Sequence, residues 1–100
     1  MKTAKLVQDL TGNGFNGAAK CFDINPPIGE RFSIDENKKT YSRVIVSAIK
    51  AAFDTGQPET FIFPATEDGK DIADFGELEG SRRGICDPEG LLMELGYEIS

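Results

Sequence analysis

Short apolar runs, broken by turn residues, set the layout of this chain. Lys5-Leu6-Val7-Gln8-Asp9-Leu10 reads as a short strand. Ala18 to Ile24 is expected to return as a second strand, with Ala19, Cys21 and Phe22 as packing residues. Asn25-Pro26-Pro27 is expected to stop it, because proline lacks the N–H and restricts the residue before it. Glu30 to Ile34 predicts another strand, followed by a polar turn at Asp35-Glu36-Asn37-Lys38-Lys39.

Tyr41 to Phe53 carries two signals. Val44, Ile45, Ala48, Ile49, Ala52 and Phe53 fall at helical spacing. Tyr41, Val44, Ile45 and Val46, however, gather strand formers at its start. The turn formers Asp54-Thr55-Gly56-Gln57-Pro58 follow, and then the clear strand Glu59-Thr60-Phe61-Ile62-Phe63, closed by Pro64. Two strand-like segments around a Gly/Pro turn predict a hairpin, so residues 42–50 are read as a strand with a helix as the alternative. Ala65 to Gly84 is expected to wrap the domain as a long loop with a turn or two of irregular helix, pinned by Ile72, Phe75 and Leu78 facing inward together.

The end of the chain predicts a short helix. Asp87 is placed at the N-cap, Pro88 at the first helical position and Glu89 in the first turn. Leu91, Leu92 and Leu95 form its apolar face, and Gly96 is placed for a left-handed end that brings Tyr97 back to Leu92. About two turns cannot stand alone, so the helix must dock. The expected fold is α+β: one domain over residues 1–100, an antiparallel sheet of four or five strands, and a short C-terminal helix packed on one face.

Charge changes the picture. The net charge is −6, but residues 1–50 hold eight Lys/Arg against five Asp/Glu, and residues 51–100 hold three against twelve. Glu67, Asp68, Asp71, Asp74, Glu77 and Glu79 crowd into thirteen positions with Lys70 alone among them. So acidic a chain repels phosphates, which argues against direct nucleic-acid binding, and suits a basic protein surface instead. The six acids are read as a solvated face or as a partner-binding face. Catalytic carboxylate pairs need burial to separate their pKa values, and the glycines around these acids argue against it.

Other candidate chemistry is thin. The chain has no His, which removes the commonest general base and metal ligand. Cys21 and Cys86 lie far apart with no C-x-x-C, so zinc is not expected, and both are read as reduced. No apolar run reaches membrane-spanning length, and Met1-Lys2-Thr3-Ala4-Lys5 leads straight into a strand-like segment without the pattern of a secretory leader.

Thr11 to Lys20 spells G-x-G-x-x-G at Gly12, Gly14 and Gly17, and Asp35 sits where a ribose acid would be. A dinucleotide loop needs a helix after it and a parallel strand after that. Only about eight residues separate Gly17 from Asn25-Pro26-Pro27, so a turn between antiparallel strands is expected instead. Asp9, Thr11, Asn13 and Gly14 fit the first half of a calcium loop, but Lys20 takes the place of its final Glu. Arg82-Arg83 in a Gly frame could grip an anion, though such a pair more often balances nearby acids. Ser42, Ser47 and Thr60 lack a His base, and Cys21 lacks an activating neighbour in sequence. No cofactor, metal or catalytic set is expected.

The segments Tyr41-Ser42-Arg43-Val44-Ile45-Val46-Ser47-Ala48 and Pro58-Glu59-Thr60-Phe61-Ile62-Phe63-Pro64-Ala65, with Asp9-Leu10-Thr11-Gly12 before and Gly76-Glu77-Leu78-Glu79-Gly80-Ser81 after, resemble a group of small proteins encoded by bacteriophages and prophages. The resemblance implies an accessory protein expressed in a bacterial cytoplasm, of the kind that includes anti-CRISPR inhibitors. The expected function is a non-enzymatic, anti-CRISPR-like inhibitor that offers its acids to a basic host protein. The alternative is a phage structural or accessory protein that self-associates into a homo-oligomer, and third comes a small nucleotide- or phosphate-binding module.

Overall fold

The computed structural model of the chain describes residues 2–11, 18–30, 39–49, 59–73, 78–83 and 87–100. Among the described residues, six strands and one helix follow in the order β1 (Thr3–Asp9), β2 (Ala18–Gly29), β3 (Thr40–Ile49), β4 (Glu59–Pro64), β5 (Arg82–Arg83), α1 (Pro88–Glu94) and β6 (Glu98–Ile99). They form one sheet in the order β5-β4-β3-β2-β1-β6. β1 through β5 are antiparallel neighbours, and the two-residue β6 adds in parallel to the start of β1. The expected antiparallel sheet with one short helix is present. β6 was not legible, because two residues are too few for any periodicity to show.

β3 is a strand, and the helical spacing within it has a simple origin. β3 lies in the middle of the sheet, and Val44, Ile45, Val46, Ser47 and Ala48 are all buried. A strand covered on both faces reads as a continuous apolar run, which imitates either period. Its hairpin with β4 pairs Val44 with Pro64 and Ile49 with Glu59.

β2 departs from expectation: it does not stop at Asn25 but continues through Pro26 and Pro27 to Gly29. Its register against β3 shifts between Asp23 and Ile28, so the prolines fall where the ladder asks for no N–H from them. Both prolines are exposed. Of the strand expected from Glu30, the structure describes only Glu30, in an isolated bridge with Leu78.

The pleat sends successive side chains to opposite faces. One set builds the main core, with Phe22, Ile24, Val44, Val46 and Ile62 from the strands, Leu91 and Leu92 from α1, and Leu78 and Tyr97. The other set is smaller: Leu10, Ala19, Cys21 and Ile45, with Ala65 and Ile72 packed against them. Ile72 and Leu78 therefore do not face inward together, since they belong to different clusters. Phe75 lies outside the described residues, and no helix is assigned among the described residues of 65–84. Beside β4, the Ser81 hydroxyl accepts the Ile62 N–H at 2.9 Å and donates to the Leu78 carbonyl at 3.1 Å.

The ends of α1 follow its sequence in part. Gly96 has φ +94°, and the N–H groups of Gly96 and Tyr97 bond to the carbonyls of Met93 and Leu92, which is a complete Schellman end. Asp87 occupies the N-cap in an extended conformation, but its side chain makes no capping hydrogen bond. Tyr97 donates its hydroxyl to the Pro26 carbonyl at 2.6 Å, and the Lys2 ammonium stands over its ring.

Candidate functional site

The acidic segment begins as β4 ends. The Ala65 N–H bonds to Arg43 O, and the chain then winds tightly: Gly69 N–H to Thr66 O, Thr66 N–H to Asp71 O, and Ala73 N–H back to Pro64 O. Carboxylates reinforce the turn. Asp68 Oδ1 accepts the Thr66 hydroxyl at 2.6 Å and the Lys70 N–H at 3.0 Å, and these bonds hold its pKa below the ordinary aspartate value. Asp71 Oδ1 accepts the Ile72 N–H at 2.8 Å.

Three contacts fix this turn to the sheet. Arg43 on β3 donates Nη1 to the Glu67 carbonyl at 2.6 Å. Gln8 on β1 donates Nε2 to the Asp68 carbonyl at 3.3 Å. Gly69 is buried with φ +71°, and a Cβ there would stand 3.1 Å from Cys21 Sγ. The glycine lets the backbone lie directly on Cys21 of β2 while Glu67, Asp68 and Asp71 face solvent.

Arg43 is tied on its other side as well. Its Nε and Nη2 donate to the two oxygens of Asp23 at 2.7 and 2.9 Å, a bidentate pair across β2 and β3. The guanidinium holds the Asp23 carboxyl below its usual range. Beside this pair lies an open polar hollow of about 580 Å³ between β3 and the start of the acidic turn.

Of the six acids singled out in the sequence, Glu67, Asp68, Asp71 and Glu79 are exposed, and Asp74 and Glu77 lie outside the described residues. The first three share one turn. Glu79 stands apart, with its N–H on the Gly29 carbonyl near the other end of β2. Sequence reasoning passed over Arg43, Gln8 and Gly69, which hold the turn. One signal was available: Arg43 is the only charge within the apolar run from Tyr41 to Ile49, and such a charge needs a partner.

The remaining candidates separate. Gly12, Gly14, Gly17 and Asp35 are outside the described residues, but β1 and β2, which flank the glycines, pair antiparallel, with Leu10 N–H on Ala19 O. A dinucleotide loop joins a strand to a helix. Asp9, the first residue of the calcium pattern, accepts the Thr11 N–H at 2.9 Å in a local turn. Among the described residues, no group of three or more His, Cys, Asp or Glu could hold a metal, and no helix is long and apolar enough to cross a membrane.

Cys21 is a free thiol whose pKa burial pushes up to about 11, so it stays protonated and unreactive at neutral pH. Cys86 is outside the described residues. Ser47 and Thr60 are buried and Ser42 is exposed. Arg82 and Arg83 pair through their backbones with Thr60 and Glu59, and their side chains are not among those described. Comparison with protein-family models, with curated proteins and with solved structures finds no match to this chain.

Proposed function

We propose that this chain is a non-enzymatic binding protein that presents Glu67, Asp68 and Asp71, continued by Asp74, Glu77 and Glu79, to a basic surface of a host protein. The observation that carries this reading is the division of labour in the 66–72 turn. Its backbone is fastened to the sheet by Arg43, Gln8 and Gly69, while its carboxylates point outward. A fixed set of like charges loses little entropy on binding and speeds encounter with an opposite field. A basic channel that normally holds nucleic acid is the surface such acids would fit, which makes the protein an anti-CRISPR-like phage inhibitor acting in a bacterial cytoplasm. In this reading α1 covers one face of the sheet. Support comes from Leu91 and Leu92 in the cluster of Phe22 and Val46, and from the Lys20–Glu89 ion pair between β2 and α1.

The test is capture from a bacterial lysate by the full chain and by a variant with Asp68, Asp71, Asp74 and Glu77 changed to Asn or Gln. The expected result is capture of a nucleic-acid-handling complex, weakened by salt and lost in the variant. Capture that survives neutralisation at low and moderate salt overturns the proposal.

One observation favours a second reading, self-association. Leu6 and Val7 on β1 are 41% and 37% exposed, and β6 pairs only with Thr3 and Ala4 of that strand. An exposed apolar strand edge can pair with a copy of itself. Sedimentation of the chain and of Val7→Lys decides it: a dimer dissolved by the substitution supports this reading, and a monomer in both rejects it.

A further inference from the structure

The turn after β4 is a closed unit. Ala65 and Ile72 face each other in an isolated bridge, and the Ala73 N–H bonds to the Pro64 carbonyl at 2.8 Å. Above that base, the Thr66 N–H bonds to the Asp71 carbonyl and the Gly69 N–H to the Thr66 carbonyl, both at 2.9 Å. The Thr66 hydroxyl and the Lys70 N–H hold Asp68 within the same loop. Residues 66–71 thus keep their shape through bonds to one another. Their ties to the sheet are of another kind. Arg43 Nη1 reaches the Glu67 carbonyl and Gln8 Nε2 the Asp68 carbonyl, both at solvent-exposed positions. Water can take over both bonds when the turn leaves, so no buried polar group is orphaned. Arg43 keeps its two bonds to Asp23 and stays in place. The base stays as well, since Ala65 and Ile72 pack on the second cluster and the Ala65 N–H bonds to the Arg43 carbonyl. Beneath the turn lies Cys21, 0% exposed, with Gly69 directly on its sulfur.

From this arrangement we infer that residues 66–71 are a flap that lifts off the sheet as one piece, hinged at Ala65 and Ile72, and that its opening bares the Cys21 thiol. Lifting breaks two exposed hydrogen bonds and one glycine contact, while opening the main core separates Phe22 and Val46 from Leu91 and Leu92. Local openings with so few buried contacts lie well below global unfolding in free energy. The closed position is the one that fixes Glu67, Asp68 and Asp71 in space. One movement therefore governs both where these acids stand and whether the thiol is covered. The flap goes beyond the binding reading and does not depend on it.

The test is alkylation of the full chain by iodoacetamide, with Cys21 followed by peptide mass and amide exchange measured in parallel, both in urea below the unfolding transition. Cys21 is expected to react through an opening nearly independent of urea, because the flap exposes little surface. The Thr66 and Gly69 amides are expected to stay protected through that opening, since their bonds travel with the flap. Arg43→Met is expected to speed Cys21 labelling about ten-fold, and Gln8→Ala about three-fold, with main-core amides unchanged. Glu67→Gln is expected to leave the rate as it is, because Arg43 holds the Glu67 carbonyl and not its carboxylate. Labelling that shares the urea dependence of the core amides overturns the flap, since the thiol is then reached only by global unfolding. Thr66 and Gly69 amides that open at the same free energy as Cys21 overturn the movement in one piece. A labelling rate indifferent to both Arg43→Met and Gln8→Ala overturns the hold that these two residues are assigned.

Discussion

The two hydrophobic clusters on opposite sides of the sheet are built differently. The main one joins large, fully buried side chains: Phe22, Val44, Val46 and Ile62 from the strands meet Leu78, Leu91 and Leu92 from outside them. The second is made of Ala19, Cys21, Ile45 and Leu10, and across the same face runs the Asp23–Arg43 pair. Large apolar area supplies stability in proportion to what is removed from water. Small residues supply less, but they let a backbone approach closely, and here the acidic turn rests on Cys21 through Gly69. The first side holds the fold together, and the second positions charge.

The comparison breaks most visibly in the main cluster. Truncating a buried Leu costs about 2–5 kcal/mol, against a total stability of about 5–15 kcal/mol for a domain of this size. Leu91→Ala with Leu92→Ala is expected to leave the protein largely unfolded at room temperature. Cooperative melting within a few degrees of the parent would show that α1 adds nothing to the core.

Next in size is Gly69→Val. The left-handed backbone costs an L-residue about 1–2 kcal/mol, more when β-branched, and the added Cβ meets Cys21 Sγ at 3.1 Å. A clear fall in the urea midpoint is expected, with the largest amide shifts in residues 66–72. Midpoint and shifts both unchanged would mean that the turn does not rest on Cys21.

Arg43→Met tests the clamp with a smaller effect on stability, since the pair is substantially exposed and screened. Amide exchange in residues 66–70 should quicken while the main core stays protected. The pH dependence has a definite sign. Arg43 depresses the Asp23 pKa, so the stability it lends is present above the unfolded aspartate value near 4 and is lost as pH falls through the lower folded value. The gap in melting temperature between parent and Arg43→Met should therefore be constant at neutral pH and close in strong acid. A gap that widens there contradicts the pairing.

The smallest effect is expected from Asp71→Asn with Glu67→Gln. Both are exposed, and the Asn oxygen can still accept the Ile72 N–H. Melting should stay within about two degrees of the parent, because exposed charges contribute little to folding. A large drop would show that these acids hold the fold and would count against the proposed binding face.

Sequence alone determined the elements that local chemistry dictates. Turn residues bound β4, strand formers crowd β3, and Asp87-Pro88 and Gly96 bracket α1. Each of these signals acts within a few residues, through fixed φ, a missing N–H or a left-handed turn. It also located the acids, because charge density is a property of the chain. Tertiary structure decided what depends on partners distant in sequence. Whether β2 could run through Pro26 and Pro27 depended on a register shift against β3. Whether Ile72 and Leu78 shared a face depended on which cluster of the sheet each one packed against. Whether the acidic segment was loose or held depended on Arg43, 24 residues from Glu67, and on Gln8, 60 residues from Asp68. A hydrogen bond acts over about 3 Å, and only the fold brings such distant residues within that reach.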